Sequence, residues 1–191
     1  MIRDMLIVLG GFLGSGRSLL ARMLATETGF HYHSFHEKKM RHLVRDERNM
    51  EKVRTIQPNT DELRMRICEE MLNDFPMLSK MHDNVIVEDV LHRKIPREFF
   101  LKEAKRYFDP VVFVWIETPD DTTEARLKAM EKKGIIPSVS VALQRRTFVM
   151  KEFQPFESLP LIFFHKKTDA RAAKKLNVFI QHCLKRKLIA D

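Results

Sequence analysis

Apolar positions along the chain fall into two rhythms. Met5-Leu6-Ile7-Val8-Leu9 is an unbroken apolar run, the pattern of a strand covered on both faces. A glycine-rich bend follows, after which Leu19, Leu20, Met23 and Leu24 recur at helical spacing toward Gly29, where the helix is expected to stop. The run Phe30–Phe35 is short and aromatic enough for a second strand, Val85–Val87 gives a third, Pro110–Ile116 a fourth and Leu161–Phe164 a fifth. Helical patterns fill the intervals. Residues 36–54 are strongly basic with a partial stripe at Met40, Leu43 and Val44. Asn59 and Glu62 have capping-box spacing before the apolar face Leu63, Ile67, Met71, Leu72 and Phe75, and Pro76 is expected to end or kink that helix. Pro96 opens a helix over Arg97–Phe108. Thr118, Pro119 and two acids open another that runs to Gly134, Thr118 serving as cap. Ser138–Phe153 is a further helix, and Asp169–Leu188 closes the chain with Leu176, Phe179, Ile180, Cys183 and Leu184 inward.

Strands alternating with helices in this way predict an α/β domain, a parallel sheet covered on both faces with right-handed crossovers. Ligands then bind beyond the carboxyl ends of the strands. That rule gathers the bend at 10–18, the turn at 34–37, Glu88 and Asp89, and the segment after Ile116 on one rim.

Composition narrows the partners. A chain of 191 residues, 44% apolar, suits one domain spanning 1–191, and a net charge of +8 favours anionic partners: nucleotides, sugar phosphates or nucleic acid. No apolar run is long enough to span a membrane. Cys68 and Cys183 are far apart, form no C-x-x-C and sit among apolar residues at helical spacing, so both are expected to be buried thiols of a reducing compartment, and the chain to be cytoplasmic.

The bend carries the chemistry. Gly11-Phe12-Leu13-Gly14-Ser15-Gly16-Arg17-Ser18 has the spacing of a phosphate-binding loop, with arginine where lysine is expected. Glycines let successive amides turn inward and the helix N-terminus adds positive potential. Ser18 is a candidate ligand for Mg²⁺. A guanidinium at position 17 keeps the charge while changing its reach and geometry. A secretory signal is the competing reading of the first residues, but Asp4, the missing cleavage site and the continuing amphipathic helix oppose it. At the end of the third strand, Glu88 and Asp89 are adjacent carboxylates, of which one faces the loop, and an acid there helps hold Mg²⁺. Pairing with Arg93 or Lys94 is the plainer role. His31, His33 and His36 allow a metal site, although hydrogen-bonded strand histidines are commoner.

Taken together, the loop at 11–18, the run Val85–Arg93, and Val114–Pro119 leading into Ala125-Arg126-Leu127 resemble the small phosphate-loop kinases of the adenylate, shikimate and gluconate kinase type. The resemblance implies a three-layer fold with five parallel strands in the order 2-3-1-4-5, ATP and Mg²⁺ as cofactors, and a lid over about 126–150. It assigns nucleotide binding to Gly11 through Ser18, metal binding to Ser18 and Asp89, and catalytic roles to Arg17, Asp89, Arg126 and Arg145, with Arg146 as the other lid candidate. Met130 stands where such kinases often carry a further arginine, and the turn after the second strand offers Ser34, His36 and Glu37 in place of an acceptor-binding aspartate. The expected activity is phosphoryl transfer from ATP to a small hydroxylated metabolite or a nucleoside or nucleotide. The alternatives are a nucleotide-binding switch or adaptor, motivated by Arg17 and Met130, and a nucleic-acid end kinase, motivated by net charge.

Overall fold

Every residue of β1 (Met5–Gly11) is buried, and the computed structural model places this strand at the centre of a five-stranded sheet. The structure describes residues 4–35, 61–156, 161–164 and 169–190, with their side chains except at 161, 164 and 183–190. The elements are α1 (Arg17–Thr28), β2 (His31–Tyr32), α2 (Asp61–Leu72), α3 (Phe75–Met81), β3 (Asn84–Glu88), α4 (Lys94–Ala104), β4 (Val111–Glu117), α5 (Asp120–Lys132), α6 (Val139–Lys151), β5 (Leu161–Phe164) and α7 (Ala170–Ala190). The sheet is wholly parallel in the order β2-β3-β1-β4-β5. Among the described residues no helix is long and apolar enough to cross a membrane.

Alternation along β1 divides the interior. Met5, Ile7 and Leu9 face α1 and α7, meeting Leu20, Leu24, Leu176 and Ile180. Leu6 and Val8 face the other way, toward Cys68, Met71, Phe75, Leu78 and Phe100 of α2, α3 and α4. Each large aliphatic side chain so covered contributes about 1.5–3 kcal/mol. The two-sided demand explains why the central strands read as continuous apolar runs. Cys68 is a buried free thiol; the side chain of Cys183, the basic stretch 36–54 and Asn59 lie outside what the structure describes.

Several local expectations shift. The second strand is only His31–Tyr32 rather than Phe30–Phe35, because this edge strand has β3 as its one ladder partner; His33 adds a single further bond from its amide to the Ile86 carbonyl at 2.9 Å. Pro76 does not close a helix but sits in the first turn of α3, where its missing N–H costs nothing. Pro96 likewise lies within the first turn of α4, which starts two residues before it. Pro119, not Thr118, is the residue flanking α5. Asp169 caps α7, its Oδ1 accepting from the Ala172 amide at 2.9 Å. The strand histidines have ordinary partners: His33 Nε2 lies 2.9 Å from Asp74 Oδ2, and His31 stacks on His82 with ring centroids 3.7 Å apart. Among the described residues no group of three His, Cys, Asp or Glu could hold a metal ion, and His36 and Glu37 lie outside them.

Candidate phosphate-binding site

Strand β1 delivers the chain into the bend, and the sheet dictates glycine there. A Cβ on Gly11 (φ +148) would stand 2.8 Å from the Ile116 carbonyl oxygen, and one on Gly14 (φ +81) would stand 2.6 Å from Thr123 Cγ2. Gly16, also left-handed, leads into α1 without a side-chain cap. The first amides of α1 therefore face the concavity of the loop, the arrangement that attracts an anion. The loop closes on itself through the Ser15 amide, which donates to the Phe12 carbonyl at 3.1 Å.

Arg17, the first residue of α1, keeps only 12% of its side chain exposed, with Nε 3.7 Å from Glu88 Oε2. Its Nη1 is buried and has no hydrogen-bond partner among the described residues. A buried guanidinium nitrogen so placed is an open donor. Ser18 Oγ donates to Glu88 Oε1 at 3.1 Å. Glu88 thus occupies the place expected of Asp89: the carboxylate of Asp89, also buried, takes the amide of Val90 at 2.6 Å. The reason is register. Ile7 pairs with Ile86 and Leu9 with Glu88, and residues of that parity face α1.

Arg126, on α5, turns its Nη1 to the carbonyls of Ser15 and Gly14 at 2.9 and 3.3 Å, and burial draws its guanidinium below its ordinary value without discharging it at neutral pH. Thr118 Oγ1 donates to the same Ser15 carbonyl at 2.9 Å, which is why it does not cap α5. Of the lid arginines, Arg145 is exposed, whereas Arg146 is buried, bonds Asp120 Oδ1 at 2.8 Å and lies 5.7 Å above the ring of Phe12. Arg146 is the one that reaches the loop, since it repeats one helical turn after the buried Ala142. Phe12 also packs edge-on against Trp115 and Phe153 at 5.1 and 5.6 Å. A cavity of about 1110 Å³ opens over the loop, reaching Arg22, Tyr32 and Ser34 on one side and Met130, Ile135 and Asp169 on the other.

Beneath this rim, loops after β3 and α6 are tied by charge. Arg93 Nε pairs with Asp61 Oδ1 at 2.5 Å and its Nη1 with Glu152 Oε2 at 3.2 Å. This is a part that sequence reasoning assigned differently, with Arg93 as a partner for Glu88 or Asp89. His92 is fully buried nearby, and burial, followed by Arg64 and Arg93, pushes its imidazole from 6.5 down to about 3. The neutral ring is thus favoured by folding. An unfolded chain takes up this proton below pH 6.5 and the folded one only near pH 3, so stability falls as pH drops through that window. Equilibrium urea unfolding at pH 7 and pH 5 checks this: the wild type is expected to lose up to about 1.4 kcal/mol per pH unit that His92→Gln does not lose.

No family model and no curated protein sequence matches the chain. Solved structures do. A sugar kinase from a Janibacter species superposes with a TM-score of 0.63 at 13% identity, covering 93% of this chain and 94% of that one. The Mycobacterium tuberculosis APS kinase, in complex with AMPPNP and APS, has a TM-score of 0.63 at 15% identity, covering 95% and 99%. The Acinetobacter baumannii shikimate kinase in complex with shikimate has 0.52 at 15%, covering 97% and 95%. With the strand order and the loop already described, these decide the architecture. The chain has the phosphate-loop kinase fold. In this fold the bend after β1 stands at the carboxyl edge of the central strands, which accounts for the convergence of α1, β3 and α5 on one cavity.

Proposed function

We propose that the protein is an ATP-dependent kinase acting on a small hydroxylated metabolite. One observation carries the reading: the buried Nη1 of Arg17, with no partner among the described residues, opens beside left-handed glycines on a loop backed by a carboxylate and a hydroxyl. Arg17 and the amides of α1 hold the β- and γ-phosphates. Arg126, which lines the same cavity, fixes the loop backbone, and Arg146, rather than Arg145, braces Phe12. Ser18 Oγ and Glu88 are hard oxygen donors suited to Mg²⁺, so Glu88 takes the metal role first assigned to Asp89. Bound there, the ion supplies neutralisation of charge on the phosphates. The substrates named for the structural neighbours, shikimate and APS, support a small acceptor. The whole chain acts as one domain, with the lid over about 126–150.

The test is ATP consumption with a panel of small polyols, sugars and hydroxy acids, with Arg17→Lys beside the wild type. Turnover in either protein supports the kinase; none in both, with nucleotide still bound, leaves the binding switch as the reading. Glu88→Gln is expected to reduce the Mg²⁺ enhancement of nucleotide affinity by about tenfold, as loss of one charged ligand implies. Titration of nucleotide with and without Mg²⁺ measures it.

A further inference from the structure

Arg17 does not stand free in the phosphate loop. Its stem lies against the end of β1, where a Cβ on Gly11 would stand 3.3 Å from Arg17 Cδ, and its Nε is 3.7 Å from Glu88 Oε2. The other oxygen of Glu88 accepts from Ser18 Oγ at 3.1 Å. Both partners of the ion pair are largely buried, and both border the cavity. They are also the two side chains that the kinase reading asks to do different work, Arg17 on the phosphates and Glu88, with Ser18, on the metal. Each is engaged by the other. An opposite charge so close in a poorly solvated place cancels much of the field that Arg17 would otherwise present to an incoming anion.

A lysine has one nitrogen to give to either the carboxylate or a phosphate. A guanidinium can turn Nε to Glu88 and keep Nη1, which is buried with no partner among the described residues, for a second anion. We propose that the Arg17–Glu88 pair is an autoinhibitory latch opened by a divalent cation: the ion takes Glu88 and Ser18, Arg17 is released from its counter-charge, and the loop gains its affinity for a triphosphate. This rests on the kinase reading of the same site. It adds that the ion acts on the protein's own arginine as well as on the phosphates, with Glu88 as the positioning residue between them. Metal-free nucleotide meets a neutral pair; with the ion in place the same side chains form a cationic group.

Titration of the full chain with AMPPNP, in EDTA and in saturating Mg²⁺, tests the latch. Glu88→Gln is expected to bind AMPPNP about five- to tenfold more tightly than the wild type in EDTA and more weakly than the wild type in Mg²⁺. A general loss of structure gives no such reversal of sign. Removing a negative charge beside the phosphates would by itself give some gain in EDTA, so the deciding comparison adds Glu88→Gln to Arg17→Ala. There the gain should be less than about twofold, because no guanidinium remains to be released. Low ionic strength keeps the weaker variants measurable, and Arg17→Gln replaces Arg17→Ala if the latter does not fold. An equal gain in both backgrounds means plain repulsion and overturns the latch. So does a Glu88→Gln protein that is no tighter than the wild type in EDTA, or one that is tighter in Mg²⁺ as well. Failure of the wild type to bind AMPPNP in either condition overturns the kinase reading instead.

Discussion

Arg17→Ala is expected to weaken binding of nucleoside triphosphate by about 100-fold and to destabilise the fold at the same time. The first effect follows from the loss of charge-assisted hydrogen bonds to phosphate, each worth about 1.5–3 kcal/mol. The second follows from what remains behind. Glu88 keeps 9% of its side chain exposed, and without Arg17 its charge is left with the Ser18 hydroxyl alone as a described donor. Breaking a buried pair costs about 3–5 kcal/mol; the 3.7 Å separation and the surviving hydroxyl put this case nearer 2. Adding Glu88→Gln to Arg17→Ala should recover most of the stability and none of the affinity, the non-additivity that a shared contact produces. Trp115 is the one tryptophan of the chain and packs against Phe12 in the loop, so its fluorescence reads nucleotide binding directly. Arg17→Ala binding as tightly as the wild type would remove arginine from the phosphate site.

The elements that the sequence exposed most plainly are those whose burial is two-sided. β1 and β4 lie inside the sheet, with neighbours on both edges and helices on both faces, so their apolar runs had no other explanation. β2 was harder because an edge strand of two residues needs little apolar content. The loop at 11–18 was legible because its glycines answer steric demands visible in spacing alone. The choice between Glu88 and Asp89 was not, for it depends on which face of the sheet α1 covers. Once Leu9 is known to face α1, its partner Glu88 must as well. The choice between Arg145 and Arg146 stayed open for a related reason. Helix α6 mixes apolar and charged residues around its circumference, so nothing in its pattern separated position 145 from 146 until Ala142 marked the buried side.

Arg97→Ala is expected to cost about 3–5 kcal/mol without touching the cavity, because it strips a buried cation from groups that have been arranged around it. The side chain is 2% exposed, and its Nη atoms donate to the carbonyls of Leu91, Gln154 and Pro155 at 3.2, 3.2 and 2.9 Å. Phe156 lies 4.5 Å from the guanidinium carbon. Burial draws this guanidinium below its ordinary value, yet it remains charged, so the three carbonyls and the ring carry its solvation. Removing it leaves carbonyl oxygens short of a donor and a void beneath Leu91, whose φ of +47 is a left-handed conformation that a leucine holds only under such constraint. Lysine cannot replace the fork, so Arg97→Lys should recover less than half of the loss. The same contacts join the loop after β3 to the segment after α6, and Phe156 packs edge-on against Trp115 at 5.2 Å. Thermal unfolding followed by tryptophan fluorescence should therefore show a lower midpoint for Arg97→Ala. The nucleotide affinity of the folded fraction should fall only modestly, since the phosphate loop is anchored separately by Arg126 and Thr118. A midpoint equal to that of the wild type would mean that Arg93 with its carboxylates and the Gln154 bonds to the His92 carbonyl and the Lys94 amide hold the two loops without Arg97.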